Sequence, residues 1–129
     1  MNYAKQSARN AYQGNAVATA SPARLLVMLF DRLVLDAERG EAALAAGLHE
    51  ECNSQLQHAQ AIVTELQSTL DVDRMPAGAE MMALYDYLQR QLVSANIARD
   101  RAAAAEAVKI ARELCDTWRQ AALLAAVSA

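Results

Sequence analysis

Two histidines, two cysteines and a knot of acids are the residues of this chain whose types could support chemistry. A di-metal site in a helical bundle needs Glu-x-x-His pairs projecting inward from two helices, with further inward carboxylates. Neither His49 nor His58 has a glutamate three residues before it (Ala46 and Gln55 stand there), and the apolar seams carry no acid. A lone histidine on a helix with no cluster around it reads as a surface or satisfied core residue. Cys52 and Cys115 belong to no Cys-x-x-Cys motif and fall on apolar helical stripes, which reads as two small buried thiols in a reduced protein. Asp31, Asp36 and Glu38 stand beside Arg32 and Arg39 and read as a solvated face. There is no Gly-rich phosphate loop and no nucleophile elbow. No catalytic residue, metal, cofactor or small-molecule substrate is expected, so the chain reads as a binding protein and not as an enzyme.

The composition says what must position any binding surface. The chain has 129 residues, 54% of them hydrophobic but only 5% aromatic, with 4 glycines and 2 prolines. That length closes one core, and so little turn chemistry favours a few long helices over many short strands. The net charge is −3, with a basic leader before residue 25 and an acidic stretch over 31–73. No basic face is available for a phosphate backbone, which excludes nucleic acid as a partner. No apolar run reaches the ~18 residues of a membrane span, and no hydrophobic signal segment opens the chain. The expected location is cytoplasmic, without stable membrane insertion.

Residues 1–20 show no sustained apolar period and read as a mobile N-terminal arm, with Tyr3, Tyr12 and Val17 as its large groups. Ser21-Pro22 then starts a helix, serine as cap and proline at the first helical position. Its stripe (Leu25, Leu26, Met28, Leu29, Phe30, Leu33, Val34, Leu35) is wider than one packing face requires. Gly40 or Gly47 ends it, and the helix-prone segment between them favours Gly47. A second helix carries the heptad-like seam Cys52, Leu56, Ala59, Val63, Leu66, Leu70. Asp71–Gly78 breaks the chain, and a third helix carries Met81, Leu84, Tyr85, Leu88, Leu92 and Ala95. A turn over Asn96–Asp100, with Asp100 as N-cap, leads to a fourth stripe: Ala103, Ala107, Ile110, Leu114, Trp118, Ala121. Helices of about 20–25 residues with short connections pack as an antiparallel up-down bundle of four over residues 21–129. The expected class is all-α.

Three stretches carry a family pattern. They are Tyr12 through Asp31, with Thr19-Ala20-Ser21-Pro22 and Met28-Leu29-Phe30-Asp31; then Leu84-Tyr85-Asp86-Tyr87-Leu88 continuing to Arg90, Leu92 and Ala95-Asn96; then Glu113-Leu114 to Trp118. Together they resemble the FliS family of flagellin-specific export chaperones over nearly the whole chain. Arg32 departs from the small residue usual in that family, and Ala77-Gly78-Ala79 replaces a Gly-Gly pair. The resemblance implies a helical bundle that binds the disordered C-terminal segment of flagellin, prevents premature polymerisation and presents the complex to the export gate of the flagellar type III apparatus. It also implies an N-terminal segment that can lie over the binding surface.

Stripes wider than the core leave grooves that an amphipathic client helix can fill. The candidate client-binding or lid residues are Tyr3, Tyr12, Val17, Leu25, Met28, Tyr85, Ala103, Ala107 and Trp118, with Tyr12 alternatively a contact of the export gate. The alanines of the fourth helix either admit a client backbone or simply tighten the bundle. Tyr85 and Trp118 read as core or groove floor. A second function class is a regulatory module binding another helical protein of the flagellar system. Recovery of flagellin from a lysate separates the two readings.

Overall fold

The computed structural model describes residues 21–128, and the expected arm with Tyr3, Tyr12 and Val17 lies outside them. The described residues form four helices: α1 (Pro22–Ala45), α2 (His49–Thr69), α3 (Gly78–Ile97) and α4 (Arg101–Ser128). Ser21 caps α1 as expected, its Oγ accepting from the Arg24 N–H at 3.2 Å, with Pro22 in the first turn. Gly47 ends α1 at φ +74°, while Leu48 N–H donates to the Ala43 carbonyl at 2.9 Å and Gly47 N–H to Leu44 at 3.2 Å. This paired bonding across a left-handed glycine satisfies carbonyls the helix leaves open. Asp100 starts α4 by accepting from the Ala103 N–H at 3.1 Å.

Pairs of residues across helices show the topology. Asp36 meets His58 and the Cα of Gly40 faces Leu56, so numbers rise on α1 as they fall on α2. Asn53–Asn96, Gln60–Gln89 and Gln67–Asp86 run α3 antiparallel to α2, and Glu38–Arg112 with Asp31–Arg119 do the same for α4 against α1. Each helix packs on two neighbours, α1 and α3 both lying against α2 and α4. The result is the all-α, antiparallel up-down four-helix bundle. Phe30, Leu33, Leu56, Val63, Leu66, Tyr85, Leu88 and Leu92 form its largest fully buried side chains.

Three expectations change. Asp36 is fully buried, not solvated: its Oδ2 bonds His58 Nδ1, and Arg32 Nε lies 3.0 Å from Oδ1 as an ion pair off hydrogen-bond geometry. Burial of a carboxylate is tolerable only with such partners. It is possible here because Gly40, one turn on, lets α2 approach: a Cβ at that glycine would stand 2.4 Å from Leu56 Cδ2. The fourth stripe stops short, since Trp118 is half-buried and Ala121 exposed. α4 is also longer than expected, 28 residues against 24 for α1.

The departure at Ala77 has a structural counterpart. Ala77 takes φ +58°, and a Cβ on the next residue, Gly78, would meet the Val72 carbonyl oxygen at 2.4 Å. The left-handed region costs a non-glycine residue roughly 1 kcal/mol. Ala77→Gly therefore raises stability by about 0.5–1 kcal/mol, while Gly78→Ala lowers it, because backbone must move. Leu88→Asp, a charge at a fully buried position, unfolds the bundle. Thermal melts followed by circular dichroism check all three, and a stabilised Gly78→Ala chain would contradict the packing described.

Candidate functional site

The end of the bundle where α1 starts, α2 finishes, α3 starts and α4 overhangs carries an open cleft of about 280 Å³. Its walls are Leu26 of α1, Leu66 and Leu70 from the end of α2, and Met75 from the loop; Tyr85 of α3 and Trp118 of α4 form its floor. A cavity of roughly 150 Å³ is enough for a benzene-sized apolar group, so the cleft has room for about two such groups. Its mouth holds Asp71 and Arg74, which pair with each other at 3.5 Å, and Asp71 Oδ1 also accepts from the Arg74 N–H at 3.3 Å.

Aromatic packing fixes the floor. Phe30, fully buried, stacks on Trp118 with centroids 6.2 Å apart and 13° between planes, and lies 6.5 Å from Tyr85 at 34°. Such contacts hold rings more firmly than area alone. Burial pushes the Tyr85 hydroxyl up to about 12, an effect the nearby Trp118 indole partly offsets. Trp118 Nε1 is itself buried and makes no hydrogen bond of full geometry among the described residues, the Tyr85 oxygen included.

Of the expected site residues, the cleft brings together Tyr85 and Trp118. Leu25 is half-buried and Met28 is 39% exposed, both on the first turns of α1 beside the cleft wall residue Leu26. Ala103 and Ala107 sit in the core together with Ala104 and Ala111, where small side chains let α4 pack closely. Ala102 and Ala105 in the first turns of α4 are exposed and line a separate shallow groove against Glu41 and Ala45 of α1. Spacing alone does not mark Leu66, Leu70 and Met75 as cleft walls. Leu66 and Leu70 fall on the seam of α2, and the space beside them is bounded by Asp71, Arg74 and Met75 of the loop.

The other groups with chemical potential are engaged structurally. Cys52 and Cys115 are free and buried, and burial raises both thiols; Cys115 also donates to Asp31 Oδ1 at 3.1 Å, which raises it further. Arg119 bonds that same carboxylate and ties α4 to α1. Among the described residues no group of histidine, cysteine, aspartate and glutamate is placed to hold a metal ion. No described helix is long and apolar enough to cross a membrane.

The buried phenol generates a pH dependence. Its folded value lies above the ordinary 10, so its contribution is whole below pH 10 and is lost as pH rises toward 12. About 2–3 kcal/mol of stability disappears over that window. The Tyr85→Phe chain should melt with a flatter profile between pH 10 and 12; identical profiles for the two chains would contradict the burial of the hydroxyl.

Comparison with known proteins bears directly on this bundle and its cleft. The family model described as Flagellar protein FliS matches residues 4–125. A flagellar secretion chaperone FliS of Bacillus subtilis is 36% identical over 116 residues, covering 90% of this chain and 86% of that one. A flagellar secretion chaperone FliS of Escherichia coli is 30% identical over 117 residues, covering 84% of this chain and 82% of that one. A solved structure described as a flagellar chaperone from bacteria superposes with TM-score 0.70 at 20% identity, over 91% of this chain and 96% of its own, and so speaks for the fold alone. With the family model spanning all four helices and relatives matched at this length and identity, the chain belongs to the FliS family of flagellar secretion chaperones.

Proposed function

We propose that this chain binds the C-terminal segment of flagellin in the cytoplasm, keeps it from polymerising prematurely and delivers it to the flagellar export apparatus. The observation that carries the reading is the open apolar cleft floored by Tyr85 and Trp118. Met28 at 39% and Leu35 at 37% exposure, a heptad apart on α1, extend apolar surface away from it. A cleft and a stripe together suit an amphipathic helix or a segment that folds on binding. Ordering such a client costs several kcal/mol, so contact must extend beyond the cleft along the helices.

Residues 1–20 join α1 at Ser21, at the cleft end of the bundle. The proposal includes a lid: Tyr3, Tyr12 and Val17 cover the cleft until the client displaces them, leaving Tyr12 able to meet the export gate. A lid closed 90% of the time lowers apparent affinity only about tenfold, which a large interface tolerates.

Calorimetry against full-length flagellin should show tight binding, and flagellin lacking its C-terminal ~40 residues (about two or three groove-filling helices at 1.5 Å per residue) should show none. Equal binding by the truncated flagellin would overturn the client assignment. Removing residues 1–16 should tighten binding by up to about tenfold, and unchanged or weaker binding would remove the lid from the account.

A further inference from the structure

Trp118 is the last large side chain of α4 that packs against the core. Past it the helix hides little of its apolar surface, with Leu123 62% and Val127 86% exposed. Turns with so few buried contacts open and swing more freely than the turns before them. The ring that floors the cleft therefore sits at the edge of what packing can hold. A polar cluster grips α4 at that edge. Asp31 follows Phe30 on α1 and Arg119 follows Trp118 on α4, so the two residues stand one step beyond the stacked rings. Asp31 Oδ1 accepts from Arg119 Nη2 and, one turn earlier on α4, from the Cys115 Sγ–H at 3.1 Å. Arg119 Nη2 also lies 3.7 Å from that sulfur, which closes the cluster. Glu38 and Arg112, which also join α1 to α4, pair at 3.4 Å two turns further from the cleft. Neither Asp31 nor Arg119 lines the cleft itself.

We infer that Asp31 and Arg119 are positioning residues of the cleft: they set client affinity by holding Trp118 on Phe30, without touching the client. This rests on the cleft being the client site proposed above. Both side chains are about half open to water, and such an ion pair adds little to the stability of a whole domain. Its effect is local. It decides how much of the time one turn of α4 lies against α1, and with it how often the floor of the cleft is in place. A client that needs the floor binds only the chains that have it, so apparent affinity falls by the fraction of time in which it is absent. Loss of the pair therefore weakens binding while the four helices stay folded.

The chain contains 1 tryptophan, so its fluorescence reports the floor directly. In the full chain, Asp31→Ala and separately Arg119→Gln should shift that emission to the red as the indole gains water. Each should weaken binding of the C-terminal segment of flagellin about three- to tenfold, as when the floor is in place about a third to a tenth of the time. Helical circular dichroism should stay unchanged. Arg119→Lys, which keeps the charge, should recover most of the affinity. The double variant should bind no more weakly than Asp31→Ala alone, because the two residues act through one contact. If Asp31→Ala fails to fold, Arg119→Gln at its exposed position decides alone. Unchanged emission and affinity in Arg119→Gln overturn the inference and leave the client assignment standing. A lower melting temperature at unchanged affinity also overturns it, because the pair is then structural only. Losses that add in the double variant do the same, since each residue then meets the client independently. Absence of any binding by the natural chain removes the proposed function and this inference with it.

Discussion

Four antiparallel helices can enclose one apolar axis, but they close it only along the length they share. Here α1 begins with apolar residues on more than its inward face, α4 runs on past Trp118, and Asp71, Arg74 and Met75 of the loop after α2 line the opening. The enclosure therefore stops at the layer of Phe30, Tyr85 and Trp118. Below that layer Leu33, Leu56, Leu88 and Leu92 are fully buried. Above it, Leu26, Leu70 and Met75 face an open space. The cleft is thus a property of unequal helix ends, and the aromatic layer is what keeps the opening from collapsing into the core.

Polar contacts explain why the rest of the bundle can afford an unfinished end. Asp31 binds Arg119 and the Cys115 thiol across α1 and α4, while Asp36 binds His58 across α1 and α2 and pairs with Arg32 within α1. An amide ladder of Gln67, Gln89 and Asn96 joins α2 and α3. Charged and amide contacts like these fix register more than they add stability. The Asp31 and Gln67 contacts do so toward the end where apolar burial is incomplete. Removing one partner of a buried carboxylate is costly because the other charge stays behind, so Asp36 and His58 behave as a unit.

Much of the bundle was legible in the residues. The seams of α2 and α3 appear as unbroken three-and-four spacing, the Ser21-Pro22 start and the Gly47 stop have local mechanisms, and the family pattern falls on α1, α3 and α4. The excess width of the α1 stripe also pointed to surface beyond the core, as the exposure of Met28 and Leu35 shows. The cleft itself was not legible, because its walls come from four helix ends and a loop whose path depends on Gly78 fitting under Val72. Asp36 read as solvated because it sits among charges, and only the close approach at Gly40 makes its burial possible. Ala103 and Ala107 read equally well as groove or core, since an alanine fits either, and packing against α1 and α3 decided for the core.

The central claim is that client contact begins at the open end of the bundle. Hydrogen exchange of this chain, measured free and bound to flagellin, maps contact along the sequence without any substitution. The account predicts slowed exchange over the start of α1, the 66–75 segment and the second half of α4, where the cleft and its flanking stripe lie. Protection confined to the α2–α3 face around Arg90 and Ile97, with the cleft segments exchanging as before, would contradict it.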